Sequence, residues 1–240
     1  MNEETKKGAP PIKWVPVKTP SGREVNIRKM KLRDEDLVVD RNLARTGANL
    51  DRLLESCTDL SASELDEMLI GDRTYLLIEI RRISKREDYY PKVQCPNCKA
   101  EFEDEVELDK LRLQLLNRKG VDDNYEFDME LPSGIKLRAR LLRGKDERRL
   151  RTVQRDHSGS LLSYLTMMRT VSIEGVDRKT LDWFRELDSD DADHFRTEYE
   201  KHDCGYDTTV KTACHSCGQE FSYDLPFDPT FWLGRAKRSR

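Results

Sequence analysis

The sequence holds no run of the roughly 18 apolar residues that a membrane-spanning helix needs. Its first 13 residues also lack the apolar stretch of a signal peptide. A soluble, intracellular protein without a membrane partner is the expectation. There is no GxGxxG, no GxxxxGK[ST], no HExxH and no GxSxG, so dinucleotide, P-loop, metalloprotease and serine-hydrolase chemistries have no motif to stand on. An excess of one charge is missing too: 43 Lys and Arg face 46 Asp and Glu, a net charge of -3. With 37% of residues charged, the surface carries both signs densely, and whole-chain charge selects neither nucleic acid nor an acidic substrate. The acidic run "LDSDDAD" at 187–193 lacks the glycine and terminal glutamate of an EF-hand loop, and reads as helix capping on a solvated face.

Cysteine is sparse but patterned. Of six, four form two CxxC pairs, "CPNC" with Cys95 and Cys98 and "CHSC" with Cys214 and Cys217; Cys57 and Cys204 stand alone. In a reducing compartment such pairs point to a metal before a disulfide framework. Four thiolates from two CxxC turns make a closed tetrahedral set, the donor type of a structural Zn2+ site with no position open for water. The 115 residues between the pairs exceed the gap of about 15–20 in a contiguous zinc ribbon, so a shared ion would join distant parts of the chain. Two rivals stand beside it: unmetallated turns held by packing, and a redox CxxC. A redox pair opens a helix, whereas Phe102, Val106 and Leu108 after the first pair read as extended. His215, between Cys214 and Cys217, is expected outside the ligand set. Cys204 is either a spare thiol near the site or a buried apolar cysteine.

The sequence repeats itself. "CPNCKAEFEDEVELD" aligns with "CHSCGQEFSYDLPFD" at an offset of 119, which also pairs Asp72 with Asp191 and Glu79 with Glu198. Upstream, "PSGREVNIRKMKLRDEDL" echoes "PSGIKLRARLLRGKDERRL" at an offset of 112, implying small insertions between the blocks. The fold class expected is α+β: two diverged copies of a unit running hairpin, helices, CxxC knuckle, joined by a shared four-cysteine zinc site. The boundaries are a flexible leader at 1–13, a first copy at 14–109, a linker at 110–123, a second copy at 124–233 and a basic tail at 234–240.

Local patterns support that order. Tyr125, Phe127, Met129 and Leu131 alternate with polar residues, as do Ile135, Leu137, Ala139 and Leu141, around a Pro-Ser-Gly turn. The first copy offers a weaker hairpin with Val15, Val17, Val25 and Ile27. A helix is expected over 34–60, with Gly47 as a break, and "SASE" from Ser61 has capping-box spacing. Asp72 caps a largely buried helix. In the second copy 160–170 and 180–187 read as helical, and 191–201 as a surface-packed helix carrying only Phe195 and Tyr199. Near the end, "DLPFDPTFW" places Phe227, Phe231 and Trp232 either folded back over the knuckle or presented as a docking motif. The short basic tail lacks interleaved aromatics and reads as solubilising.

Taken in order, "TPSGREVNIRKM", "GDRTYLLIEIRRIS" followed by "YYPKVQCPNC", "LPSGIKLRARLL" and "CHSCGQEFSYDLPFDPTFW" resemble the baseplate hub assembly chaperones of T-even-type contractile-tailed phages and related contractile injection systems. The resemblance implies a protein that is not an enzyme and acts as a chaperone for baseplate hub components or other tail proteins. It also implies a place in the cytoplasm of the host bacterium or in the virion baseplate. A structural baseplate subunit retained in the virion is the nearest alternative. A zinc-containing nucleic-acid adaptor is the further one, though no basic face supports a nucleic-acid partner, and a thiol oxidoreductase comes last.

Overall fold

The computed structural model describes residues 11–85, 89–156 and 158–234. Most of the expected leader and all but Gly234 of the expected basic tail lie outside the described residues.

The chain opens with β1 (Trp14–Lys18) and β2 (Glu24–Arg28), paired antiparallel from Trp14↔Arg28 to Lys18↔Glu24. The turn closes at Gly22, whose φ of 96° suits a residue without Cβ. The helix expected over 34–60 is three helices: α1 (Leu32–Val39), α2 (Arg41–Thr46) and α3 (Ala48–Cys57). Asp40 makes the first break, with extended backbone and a carboxylate that caps α2 through the N–H groups of Asn42 and Leu43. Gly47 makes the second, in the left-handed region at φ 69°. Next come α4 (Ala62–Glu67), opened by the Ser61–Glu64 capping box, and α5 (Ile70–Lys85), which buries Leu76, Leu77, Ile78 and Ile80. The strands β3 (Lys92–Gln94) and β4 (Glu101–Glu103) then flank the first CxxC turn.

Past β5 (Leu113–Gln114), the hairpin of β6 (Glu126–Glu130) and β7 (Lys136–Arg140) gains a third strand. The chain continues through α6 (Gly144–Asp156), α7 (Leu161–Arg169), β8 (Thr170–Ile173), α8 (Leu181–Arg185) and α9 (Ser189–His202). It finishes with β9 (Gly205–Tyr206), β10 (Thr209–Ala213), β11 (Glu220–Asp224) and α10 (Pro229–Leu233). The helix α6 has no counterpart in the sequence reading, because "GKDERRLRTVQRD" offers almost no apolar periodicity. The helix α9 is not surface-packed: Phe195 and Tyr199 are both fully buried in the second core. Two aromatics, each burying about 150–250 Å², give a helix its buried face without further apolar positions.

Among the described residues there are two cores, and each borrows from the other half. The first gathers Val25, Ile27, Leu53, Leu54, Leu76 and Ile78, and is completed by Leu225, Phe231 and Trp232. The second gathers Phe127, Leu137, Ala139, Ile173, Phe195 and Tyr199 together with Leu69. The segment after each knuckle crosses over: β5 pairs with β9, while Phe231 stacks edge-on against Tyr89 at 5.0 Å. A backbone bridge between Leu69 and Arg143, flanked by Ile70 N–H to Leu142 C=O and Gly144 N–H to Met68 C=O, also ties the halves. Beside it the buried Arg73 guanidinium meets Asp51, Glu147 at 3.2 Å and the Leu65 carbonyl. Contact between the two CxxC turns is therefore not the sole join between the halves.

Polar geometry recurs between the halves. Arg28 grips Asp34 through two N–H donors, and Arg140 grips Asp146 the same way; Lys31 N–H donates to Asp34 and Arg143 N–H to Asp146. Ser21 N–H donates to Asp72, and Ser133 N–H to Asp191. Ile27 bridges Thr58 as Ala139 pairs with Thr170. Ser61 and Thr180 cap their helices through the N–H groups of Glu64 and Trp183. The offset passes from 112 to 119 between Thr58/Thr170 and Ser61/Thr180. Two residues lie between Thr58 and Ser61, and nine, 171–179, between Thr170 and Thr180, where they finish β8 and its turn.

Candidate metal centre

Each CxxC pair sits in a turn whose backbone is dictated locally. Cys95 N–H donates to Ala100 C=O and Lys99 N–H to Cys95 C=O; in the second knuckle Cys214 N–H donates to Gln219 C=O and Gly218 N–H to Cys214 C=O. Lys99 and Gly218 occupy the same left-handed position, at φ 63° and 72°. Both sulfurs of each turn are thereby aimed to one side. The knuckles face one another, and the four Sγ atoms of Cys95, Cys98, Cys214 and Cys217 lie within 4.8 Å of one another.

The spacing discriminates between chemistries. Cys95 and Cys217 sulfurs are 3.7 Å apart, and those of Cys98 and Cys214 are 3.6 Å apart. A disulfide requires about 2.05 Å. Tetrahedral zinc with Zn–S bonds of about 2.3 Å requires sulfur–sulfur edges of about 3.8 Å. The observed pairs fall at the metal distance. All-thiolate ligation would also leave no place for a reactive water.

The surroundings of the second knuckle favour thiolates at Cys214 and Cys217. Ser216 N–H reaches Cys214 Sγ at 3.4 Å, and the Asn97 amide reaches Cys217 Sγ at 3.8 Å. Backbone N–H groups of Cys217 and Ser216 hold the Cys214 thiol down, to about 6. At Cys98 the Ala100 N–H pulls the same way, but the neighbouring sulfurs, Cys217 foremost, outweigh it and push Cys98 up to about 12. Four thiols so close resist ionising together unless a cation sits among them. Cys95 and Cys214 are buried while Cys98 and Cys217 are exposed, so one face of the cluster meets solvent.

The remaining candidates fall elsewhere. The His215 ring packs tilted against Phe102 at 4.5 Å and is not part of the four-cysteine cluster. Phe102 also meets Phe221 edge-on at 6.2 Å, and Tyr223 hydroxyl donates to Asp104 at 2.8 Å, so the two knuckle hairpins pack directly. Cys57 lies in the first core, where burial pushes its thiol up to about 12. Cys204 is buried in the second core against Gly71 and Asp72, its thiol also pushed up by burial. Neither single cysteine joins the cluster.

Phe231 and Trp232, expected either folded back over the knuckle or presented as a docking motif, are fully buried and complete the first core, with the Phe231 carbonyl accepting from buried Arg81. Phe227 is half-buried against them. The buried ion pair Arg28–Asp34 and its counterpart Arg140–Asp146 went unread, although both sit six residues apart inside the repeated blocks. Among the described residues, no helix is long and apolar enough to cross a membrane.

Comparison with known proteins gives one family. A family model described as T4 bacteriophage base plate protein matches residues 13–227. No curated protein and no solved structure matches the chain.

Proposed function

The chain belongs to the T4 bacteriophage base plate protein family, and we propose that within tail assembly it acts as a chaperone for baseplate hub components, without enzymatic activity. Membership across most of the chain is the observation that carries a baseplate role. The chaperone assignment rests on the resemblance of the ordered motifs given above. Co-purification with the baseplate hub proteins of the same genome, combined with the protein content of finished particles, tests the reading. A chaperone binds a hub component and is missing from the particle, whereas a structural subunit is present in it at fixed stoichiometry.

The module itself reads as two diverged copies, 14–109 and 124–233, joined by the linker at 110–123. The repeated Arg–Asp pairs, Asp-capped turns and matching knuckle backbones support that origin. A single structural Zn2+ held by Cys95, Cys98, Cys214 and Cys217 is the metal the donor set fits, clamping one copy to the other. The crossed-over segments and the Leu69–Arg143 bridge share that task.

A further inference from the structure

Beside the first hairpin lies an open groove of about 510 Å³, between the start of β1, the end of β2 and the last turns of α5. Its apolar lining comes from Ile12, Val15, Met30 and Ile83. Every charged residue along it is cationic: Lys13, Arg28, Lys29, Lys31 and Arg82. That one-sidedness contrasts with a chain whose net charge is -3. Two of the five are committed, Arg28 to Asp34 and Arg82 to Glu79 and Asp109. Among the described residues, Lys13, Lys29 and Lys31 make no ion pair, so three cations border an apolar floor with no carboxylate of the groove to answer them.

The second half shows what occupies the corresponding place. By the offsets of 112 and 119, Lys13 corresponds to Tyr125, Val15 to Phe127, Lys31 to Arg143 and Ile83 to His202. There the chain fills the space itself. The guanidinium groups of Arg118, at 5.1 Å, and Arg143, at 5.6 Å, both lie over the Tyr125 ring, and the His202 ring packs tilted on Phe127 at 4.1 Å. Leu116 and Val121, from the segment that precedes the second hairpin, pack on the same core. The groove of the first half is thus the open version of a position that the second half closes with apolar groups and a cation-flanked ring.

We infer that this groove is the docking site for an acidic segment of a tail protein, one that sets carboxylates against Lys13, Lys29 and Lys31 and apolar side chains against Val15, Met30 and Ile83. Charge complementarity selects the occupant: an apolar floor favours side chains that a nucleic-acid backbone lacks, and unpaired lysines at its border favour carboxylates. The inference rests on the baseplate reading for the identity of the partner. The chemistry of the groove stands apart from it.

The probe is a fluorescein-labelled ten-residue peptide alternating leucine with glutamate, titrated with the full chain at low salt and read by anisotropy. Binding is expected to weaken at least tenfold in the Lys13→Gln/Lys29→Gln/Lys31→Gln variant and on raising salt. The same peptide with lysine for glutamate is expected not to bind. An unchanged urea midpoint for the variant keeps the comparison fair, and Met30→Asp supplies a second route to the same loss. Equal binding by wild type and both variants, or equal competition by a ten-nucleotide oligothymidylate, overturns the inference. Repeating the hub co-purification with the triple variant separates the two readings. Retention by wild type and variant alike removes the groove and leaves the baseplate role. Peptide binding lost in the variant, with no hub component retained by wild type, removes that role and leaves the groove.

Discussion

Asp191, at the start of α9, accepts the backbone N–H of Ser133 at 3.0 Å, pinning the turn of the second hairpin to a helix 58 positions later. Asp72 pins the first turn in the same way, accepting Ser21 N–H at 2.9 Å and the Ser21 hydroxyl as well. Asp191→Ala should cost about 1–2 kcal/mol, and Asp72→Ala, which strands two donors, about 2–3 kcal/mol. Urea denaturation of the two variants checks both the size and the order. An Asp191 variant as stable as wild type would remove the turn-pinning role.

Asp34 and Asp146 are the two depressed carboxylates buried deepest, and both contribute to the acid dependence. Burial opposes ionisation of Asp34, but Arg28, Ser56 and the Lys31 N–H outweigh it and hold the carboxyl below its ordinary 3.8. Burial opposes ionisation of Asp146 as well, and there Arg140 and the Arg143 N–H outweigh it and hold the carboxyl low. A depressed folded-state value stabilises above the unfolded value and is lost as pH falls through the folded one. Stability should therefore fall as pH drops below 3.8, and Asp34→Asn with Asp146→Asn should flatten that limb. Urea midpoints measured from pH 5 to pH 2 read it, and an unchanged slope in the double variant would count against these two groups.

Breaking the Arg28–Asp34 pair should be expensive, because both partners are buried. Arg28→Met leaves a buried carboxylate without its cation and should cost about 3–5 kcal/mol. Arg28→Met combined with Asp34→Leu should recover much of that loss. A double variant no better than the single one would contradict the ion-pair account.

Elemental analysis of protein purified without added metal should find about one zinc per chain. Cys98→Ser and Cys214→Ser should remove it, while Cys57→Ser and Cys204→Ser, which lie in the cores, should keep it. Chelation should lower the thermal midpoint yet leave most of the helical circular dichroism, since the halves share contacts elsewhere.

At Gly71 a methyl group would overlap the Cys204 carbonyl oxygen, a backbone atom that cannot swing aside. Gly71→Ala should destabilise by about 3 kcal/mol. Gly134→Ala meets nothing within 4 Å and bears only the strain of φ 86°, about 1–2 kcal/mol. Thermal melts of the pair separate steric conflict from backbone strain.

The hairpins, the Ser61 capping box and the meeting of the two knuckles were legible because each rests on short patterns or on matched spacing. Less visible was anything decided by tertiary contact. Asp40 breaks the helix by turning extended after α1 and capping α2 with its carboxylate, which sequence presents as one more acid in a charged stretch. The helix α6 is held by ion pairs such as Arg148 with Asp66 and Arg151 with Glu147, and these leave no apolar period to read. Phe231 and Trp232 read as docking groups or as a flap over the knuckle, and their place in the first core was not legible, since the cluster they join is built mainly by residues more than a hundred positions earlier.

The first core also sets a schedule. Arg81 reaches the Phe231 carbonyl across 150 positions, and Trp232 seals the same cluster. During synthesis on the ribosome the first half can form its hairpin and helices as it emerges, but its interior stays open to water until α10 has been made. Its leucines and isoleucines are therefore covered only once α10 is in place, whereas the second core, which takes nothing from α10, is complete in sequence by Cys204, so the N-terminal half closes after the C-terminal one.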